Sequence, residues 1–322
     1  MSASTIMDTI TIAAVFAILG FGVFLSFKIL NITDLTVEAS FGLGAAITGM
    51  ICKTGVININ QNILPFLAMI CAILGGAFAG VITALLHTKL KINSVLSGIL
   101  TLTAFYTINL LVIKKDGFTN SSIGLSGNKG VTLFTLTGSS EATKMIVMVI
   151  IAAIVGVLLA LFFKTRLGLS IRACGDNEQM TKTQCISTDN MKIIGLALSN
   201  ALVALAGSLF VMQQASFATS IEKGMMVVGV ATIIIGEVVV FRSHNLNLML
   251  LGIFIGSIIY RFIYAIALRI DFIDTTYLHL ITASLIVLIM LVSRLVSDYK
   301  KRKNRNLANL ELEEDLEVES ND

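Results

Sequence analysis

Apolar runs close to or above the length of a membrane crossing recur from one end of this chain to the other. They lie near residues 7–28, 38–52, 64–86, 92–113, 145–163, 191–212, 224–241, 246–268 and 277–296. A helix rises about 1.5 Å per residue and the bilayer core is about 30 Å thick, so runs of about 18 apolar residues read as spans. In hydrocarbon the backbone must satisfy its own hydrogen bonds, and for long unbroken apolar runs the helix is what does so. The expected fold is all-α: a polytopic transmembrane helical bundle of about 9–10 spans embedded in a lipid bilayer. The second run is short, and a half-helix near 31–42 counted separately makes ten. Residues 1–296 form the membrane domain in this reading, with a polar loop at 164–190 inside it and a charged tail at 297–322. Tryptophan is absent and 25 residues are glycine, so the helices have to pack through small residues rather than large aromatic anchors.

The sharpest fall in hydropathy is at Thr165 to Asn190, TRLGLSIRACGDNEQMTKTQCISTDN. Lys164, Arg166, Arg172, Lys182 and Lys192 make it basic, which places it on the cytoplasmic side. Asp176 followed three residues later by Gln179 reads as a helix-start box ahead of Met180. Two readings are open: a helix-bearing loop that a soluble partner grips, or an ordinary connection held inside by its charge. Alternating from this loop leaves Lys28, Lys89, Lys91, Arg242 and the carboxyl-terminal tail inside, with the amino terminus outside if the spans number nine. The tail is basic from Lys300 to Arg305, which suits the anionic inner leaflet, and acidic from Glu311 onward. The amino-terminal run lacks a basic stretch before Thr9 and is long enough to cross, so it reads as a first span rather than a cleaved signal.

Just after the first span, Asp34 and Glu38 precede a glycine-rich run with Gly42, Gly44 and Gly49. Carboxylates at a helix start complement its positive end, so this is either a capped, broken or re-entrant helix or an ion or substrate site at a helix break. Ala72, Gly76, Gly80 and Ala84 recur every four residues and form a close-packing face, and Gly252 and Gly256 repeat the device. The long polar connection 114–144 has alternation at Val131 to Leu136 that predicts a short strand. A weak internal echo sets Glu38 against Glu222, Thr36 against Ser220 and Thr48 against Thr232, in spans that cross in opposite senses, as an inverted repeat requires. Arg261, between Tyr260 and Tyr264, either reaches the headgroups at the outer end or faces a central path.

The motifs of phosphate-binding loops, zinc proteases, serine hydrolases and dinucleotide folds are all missing, so no catalytic residue is assigned and no cofactor is expected. The four cysteines and three histidines are scattered without the spacing of a disulfide framework or a metal site. The small net charge of +3 gives no reason to expect nucleic acid.

Thr165, Gly168, Arg172, Ala173, Gly175, Asn177 and Ile186 together resemble the cytoplasmic coupling segment of membrane permeases from ATP-binding-cassette (ABC) importers of the branched-chain amino-acid and simple-sugar class. Asp34-Leu35-Thr36-Val37-Glu38-Ala39-Ser40 and the run Gly224 to Glu237 are similar to elements of an amino-acid permease subgroup, some members of which serve tryptophan or tyrosine. The resemblance covers roughly residues 20 to 295 and implies a permease that imports a small polar solute, an amino acid above all. It implies a separate ABC ATPase, an extracellular substrate-binding protein or lipoprotein, and a second permease copy, with the chain a multi-pass protein of the cell membrane. Gly168, Arg172, Ala173, Gly175, Asp176, Asn177, Gln179 and Ile186 are then the residues that face the ATPase, and Asp34, Thr36, Glu38, Ser40, Gly229 and Glu237 those near the substrate path. Cys185 stands where the family usually has glycine before isoleucine, which disfavours a left-handed helix end there and alters the shape expected of the loop. The competing class is an ion-coupled carrier that works alone through Asp34 and Glu38; a non-transporting membrane scaffold is a third.

Overall fold

A computed structural model describes residues 3–53, 62–114, 122–125, 131–134, 140–240, 245–267, 284, 287 and 291. The chain divides into two units, Met1–Asp271 and Phe272–Asp322. Of the second, only Ser284, Val287 and Leu291 are described, each helical and exposed. The span expected at 277–296 and the tail otherwise lie outside the described residues.

The first unit is a helical bundle. Its helices are α1 (Ala3–Val23, continued by a π-helical turn Phe24–Ile29), α2 (Thr36–Cys52), α3 (Leu64–Thr88), α4 (Ser94–Lys114) and α5 (Glu141–Phe162). Then come two short helices, α6 (Arg166–Asp176) and α7 (Glu178–Thr183), followed by α8 (Thr188–Gln214), α9 (Met225–Val239) and α10 (Leu246–Ala267). Six are long and apolar enough to cross a membrane, and α2 and α9 are shorter apolar helices. The first eight expected spans are thus all present as helices.

Two helices form the core. The most apolar window of α1 is 89% buried and that of α8 72%, against 22–33% for α3, α4, α5 and α10. A helix apolar all round belongs inside, and the hydroxyls of Thr9, Thr11 and Ser26 on α1 donate to carbonyls of their own helix at 2.7–3.1 Å. The outer helices leave large side chains such as Phe66, Ile150 and Leu158 exposed, as a lipid-facing surface would.

Small residues set the spacing. A Cβ added at Gly76 would meet Ala204 and the Asn200 carbonyl, and one at Gly80 the Leu196 carbonyl, so the predicted face of α3 packs antiparallel on α8. Gly44 abuts the Ala204 carbonyl, while Ser40 and Thr48 donate to Asn200 and Ser208 at 2.7 Å, so α2 runs parallel to α8. Gly252 and Gly256 press on Gly236 and Thr232, which makes α9 and α10 antiparallel.

The internal echo is also present in the backbone. Asn31 and Ala215, both non-glycine residues with positive φ (56° and 49°), stand 184 residues apart, the same separation as Glu38 and Glu222. Each ends a central helix and is followed by a short helix, α2 or α9, that runs back in the other direction. The order α1–α2–α3 is repeated by α8–α9–α10 with opposite sense, as an inverted repeat demands.

The short strand lies elsewhere than expected. Ser122–Gly124 pairs antiparallel with Ser216–Ala218, whereas Leu133 and Phe134 are helical. Val131 to Phe134 are all buried, so the apolar alternation at 131–134 reflects packing and not a sheet face. Backbone bonds from Leu125 to Ala215 and from Val131 to Cys52 tie this connection to the ends of α8 and α2.

Candidate functional site

The polar segment forms two helices at one end of the bundle. Thr165 caps α6 by accepting from the Gly168 amide at 3.2 Å. Asn177, rather than Asp176, caps α7, accepting from the Met180 amide at 3.0 Å; Asp176 is the last residue of α6. The box is therefore shifted by one residue, because α6 runs on through Asp176 and the chain turns extended only at Asn177.

Glycine decides how α6 sits. A Cβ at Gly168 would fall on the Phe162 carbonyl, and one at Gly175 on the Ile29 carbonyl. Two turns apart and on one face, these glycines press α6 onto the ends of α5 and α1. Ile171 and Cys174 are buried on that side, while Ala173 and Arg172 are half-buried and Asp176, Asn177 and Gln179 are exposed. Glu178 ties α7 to itself and to α8, through Lys182 and Lys192 at 2.8 Å each. Those two ammonium groups hold its carboxyl down at about 2. Ile186 is half-buried beyond α7, and Cys185 occupies the left-handed region at φ 58°. The arrangement is a pair of short helices, called the handle below, with an exposed polar edge and contacts to α1, α5 and α8.

The other predicted residues fall in separate places. Asp34, 1% exposed, accepts from the Thr36 amide at 2.9 Å, capping α2, and from Asn200 Nδ2 at 2.7 Å. Ser40 donates to Asn200 Oδ1, and Thr36 shares a 2.7 Å bond with Thr83. Asp34, Thr36 and Ser40 are thus gathered in one buried knot, completed by Asn200 and Thr83. Gly76 beside Asn200 is the middle residue of α3, so the knot lies halfway along the bundle. Glu38, half-buried, accepts from the Gly224 amide at 3.0 Å and caps the α9 end. Gly229 packs on Val23, and Glu237 is at the handle end in a 2.6 Å ion pair with Lys28.

Near Glu38 a second set appears that the sequence reading did not assemble. Glu222 occupies the space a Cβ at Gly42 would need, and Asn109 donates to it at 3.1 Å and to the Ala39 carbonyl at 3.2 Å. Ser220 and Lys223 beside it are exposed, with the Lys223 ammonium 5.7 Å from the centre of the Tyr106 ring. No feature of the sequence marks Asn109 or Asn200, since each is a single amide in an apolar run with only a hydroxyl residue, Thr107 or Ser199, near it. Among the described residues no cluster of His, Cys, Asp and Glu has the makings of a metal site.

The sequence pattern of the family described as branched-chain amino acid transport system / permease component matches residues 5–293. The chain belongs to this family. The permease is 32% identical over 300 residues to a tyrosine transport system permease protein of Clostridioides difficile (strain R20291), covering 92% of this chain and 94% of that one. It is 29% identical over 263 residues to an uncharacterized protein of Rickettsia prowazekii (strain Madrid E), covering 81% and 87%. An autoinducer 2 import system permease protein of Escherichia coli O9:H4 (strain HS) is 26% identical over 238 residues, covering 74% and 65%. No solved structure matches the permease. As a permease component it is the membrane subunit of an ABC import system, in which the ATPase and the solute-binding protein are separate components.

Proposed function

We propose that this permease carries an amino acid inward as the ATPase bends the α6–α7 handle, with a second copy completing the path. The observation that carries this reading is the seating of Gly168 and Gly175 on the Phe162 and Ile29 carbonyls, because a force applied to α6 then reaches α5 and the central helix α1 directly. Arg172, Asp176, Asn177 and Gln179 form the edge offered to the ATPase. Lys28, Lys89, Lys91, Lys164, Arg166 and Lys182 surround the same end, which supports placing it in the cytoplasm of a cell-membrane protein. An amino-acid cargo is supported by the tyrosine permease relative.

The path runs where polar groups are exposed at mid-bundle. A lysine facing hydrocarbon costs several kcal/mol, so Lys223, together with Ser220 and Glu38, belongs against water and the second copy. Asp34 and Glu38 are occupied in capping α2 and α9, which fits a structural hinge better than ion coupling by a lone carrier. The test is reconstitution with the ATPase and binding protein. Uptake should fail in Arg172→Glu and Gly175→Pro while both variants insert normally; normal uptake by both, or uptake driven by an ion gradient with the chain alone, overturns the proposal.

A further inference from the structure

At the end of the bundle away from the handle, the first turns of α1 and α5 and the last turns of α8 and α10 enclose a cavity of about 510 Å³. Its lining includes Asp8, Glu141, Lys144, Gln213 and Arg261. Among the described residues, two of these carry buried polar atoms with no partner: Nε of Arg261, which is a donor, and Oε1 of Gln213, which is an acceptor. Buried polar atoms are rarely left unpaired, and each such exception asks for an explanation. A missing acceptor and a missing donor on the walls of one cavity describe a small molecule that brings both.

The charges in the cavity have the same polarity. Arg261 lies over the ring of Tyr264 at 4.8 Å and that of Phe16 at 5.8 Å and is hydrogen-bonded to Tyr264. Its guanidinium is held in place by the rings and by Tyr264, with its Nε–H unpartnered among the described residues. In the same lining Glu141 pairs with Lys144 at 2.9 Å and shares a hydrogen bond with Asp8, whose charge Arg261 also feels, so carboxyl oxygens and a guanidinium line one cavity. We infer that this cavity is a binding site for a zwitterionic α-amino acid, its carboxylate on Arg261 and its ammonium on Gln213 and the Asp8–Glu141 pair. The inference rests on the importer reading for its place in transport: the site lies at the outer mouth, where cargo arrives before it enters the mid-bundle path. On this inference Arg261 serves the outer mouth rather than the headgroups or the mid-bundle path.

The experiment is equilibrium binding to the full-length permease, purified in detergent without its ATPase. Each of the twenty L-amino acids is tried, and the best binder is compared with its decarboxylated amine and its deaminated acid. The expected result is saturable binding of the amino acid, with both analogues and both variants Gln213→Leu and Arg261→Gln weaker by about tenfold or more. Gln213→Leu keeps the test decisive if Arg261→Gln does not elute as a single species. The inference is overturned by unchanged binding in Gln213→Leu, by analogues that bind as well as the amino acid, or by no binding at all, which would leave the cavity filled by water alone. ATP hydrolysis by the reconstituted complex is measured in parallel. Stimulation by an amino acid with unchanged binding in the variants sinks this site and spares the importer reading; binding that the variants abolish, with no stimulation, does the reverse.

Discussion

Cys185 holds a left-handed backbone just past the end of α7, with φ 58° and its side chain exposed. A residue with a Cβ is strained there by about 1 kcal/mol relative to glycine, and the buried face of the handle gains nothing from an exposed thiol. Cys185→Gly should therefore stabilise the permease by about 1 kcal/mol, read as a higher melting temperature of the purified protein; an unchanged or lower value contradicts the strain. Gly175 predicts the opposite behaviour. Alanine there collides with the Ile29 carbonyl, so Gly175→Ala should insert and fold but lose substrate-stimulated ATP hydrolysis, and a fully stimulated variant would show that α6 does not need this seat. The strain at position 185 was legible in the sequence because a helix end is a local matter. The need for glycine at 168 and 175 was legible only through resemblance, since the Ile29 carbonyl that presses on Gly175 is remote in the chain and no local pattern announces it.

At the level of helices, α2 depends on one side chain from another element. Asn200 donates to Asp34 and accepts from Ser40, so Asn200→Leu takes the partner from one oxygen of the buried Asp34 carboxyl, whose other oxygen keeps the Thr36 amide, and from the Ser40 hydroxyl, at a cost of about 3 kcal/mol. The expected outcome is a lower melting temperature and loss of uptake together; unaltered stability would mean that water replaces the amide. The α7 tether behaves differently with pH. Glu178 has its pKa lowered to about 2 by Lys182 and Lys192, so its contribution is complete above its ordinary value of 4.5 and is lost as the pH falls through about 2. Coupling in the Glu178→Gln variant should thus be weaker by a constant factor from pH 6 to 8. A variant that differs from the parent more at one end of that range than the other would place a different titrating group in the handle. Helix existence was readable from apolar length alone, and eight of the expected spans are present. Which polar residues join helices was not readable, because Asn200 and Thr83 look like any small polar residue in an apolar run until the fold brings them to Asp34 and Thr36.

For the whole molecule, the inverted repeat has a mechanical consequence. Two central helices, each ended by a left-handed residue, send α2 and α9 back so that the Glu38 carboxylate of one caps the start of the other halfway along the bundle. The exposed Lys223 beside that contact is where the two repeats meet, and an inverted-repeat transporter has its path at that interface. If so, water reaches residue 223 although it is as deep as the middle of α3. With the four native cysteines replaced, Lys223→Cys should react with a membrane-impermeant thiol reagent, and its rate should change when nucleotide closes the ATPase. Ile150→Cys and Leu111→Cys, on the exposed apolar faces of α5 and α4, should stay unreactive in the same membranes. Equal protection of residue 223 in every nucleotide state would put it against lipid or protein and remove it from the path. Reactivity at 223 that is indifferent to nucleotide would leave a wet crevice there but no moving gate.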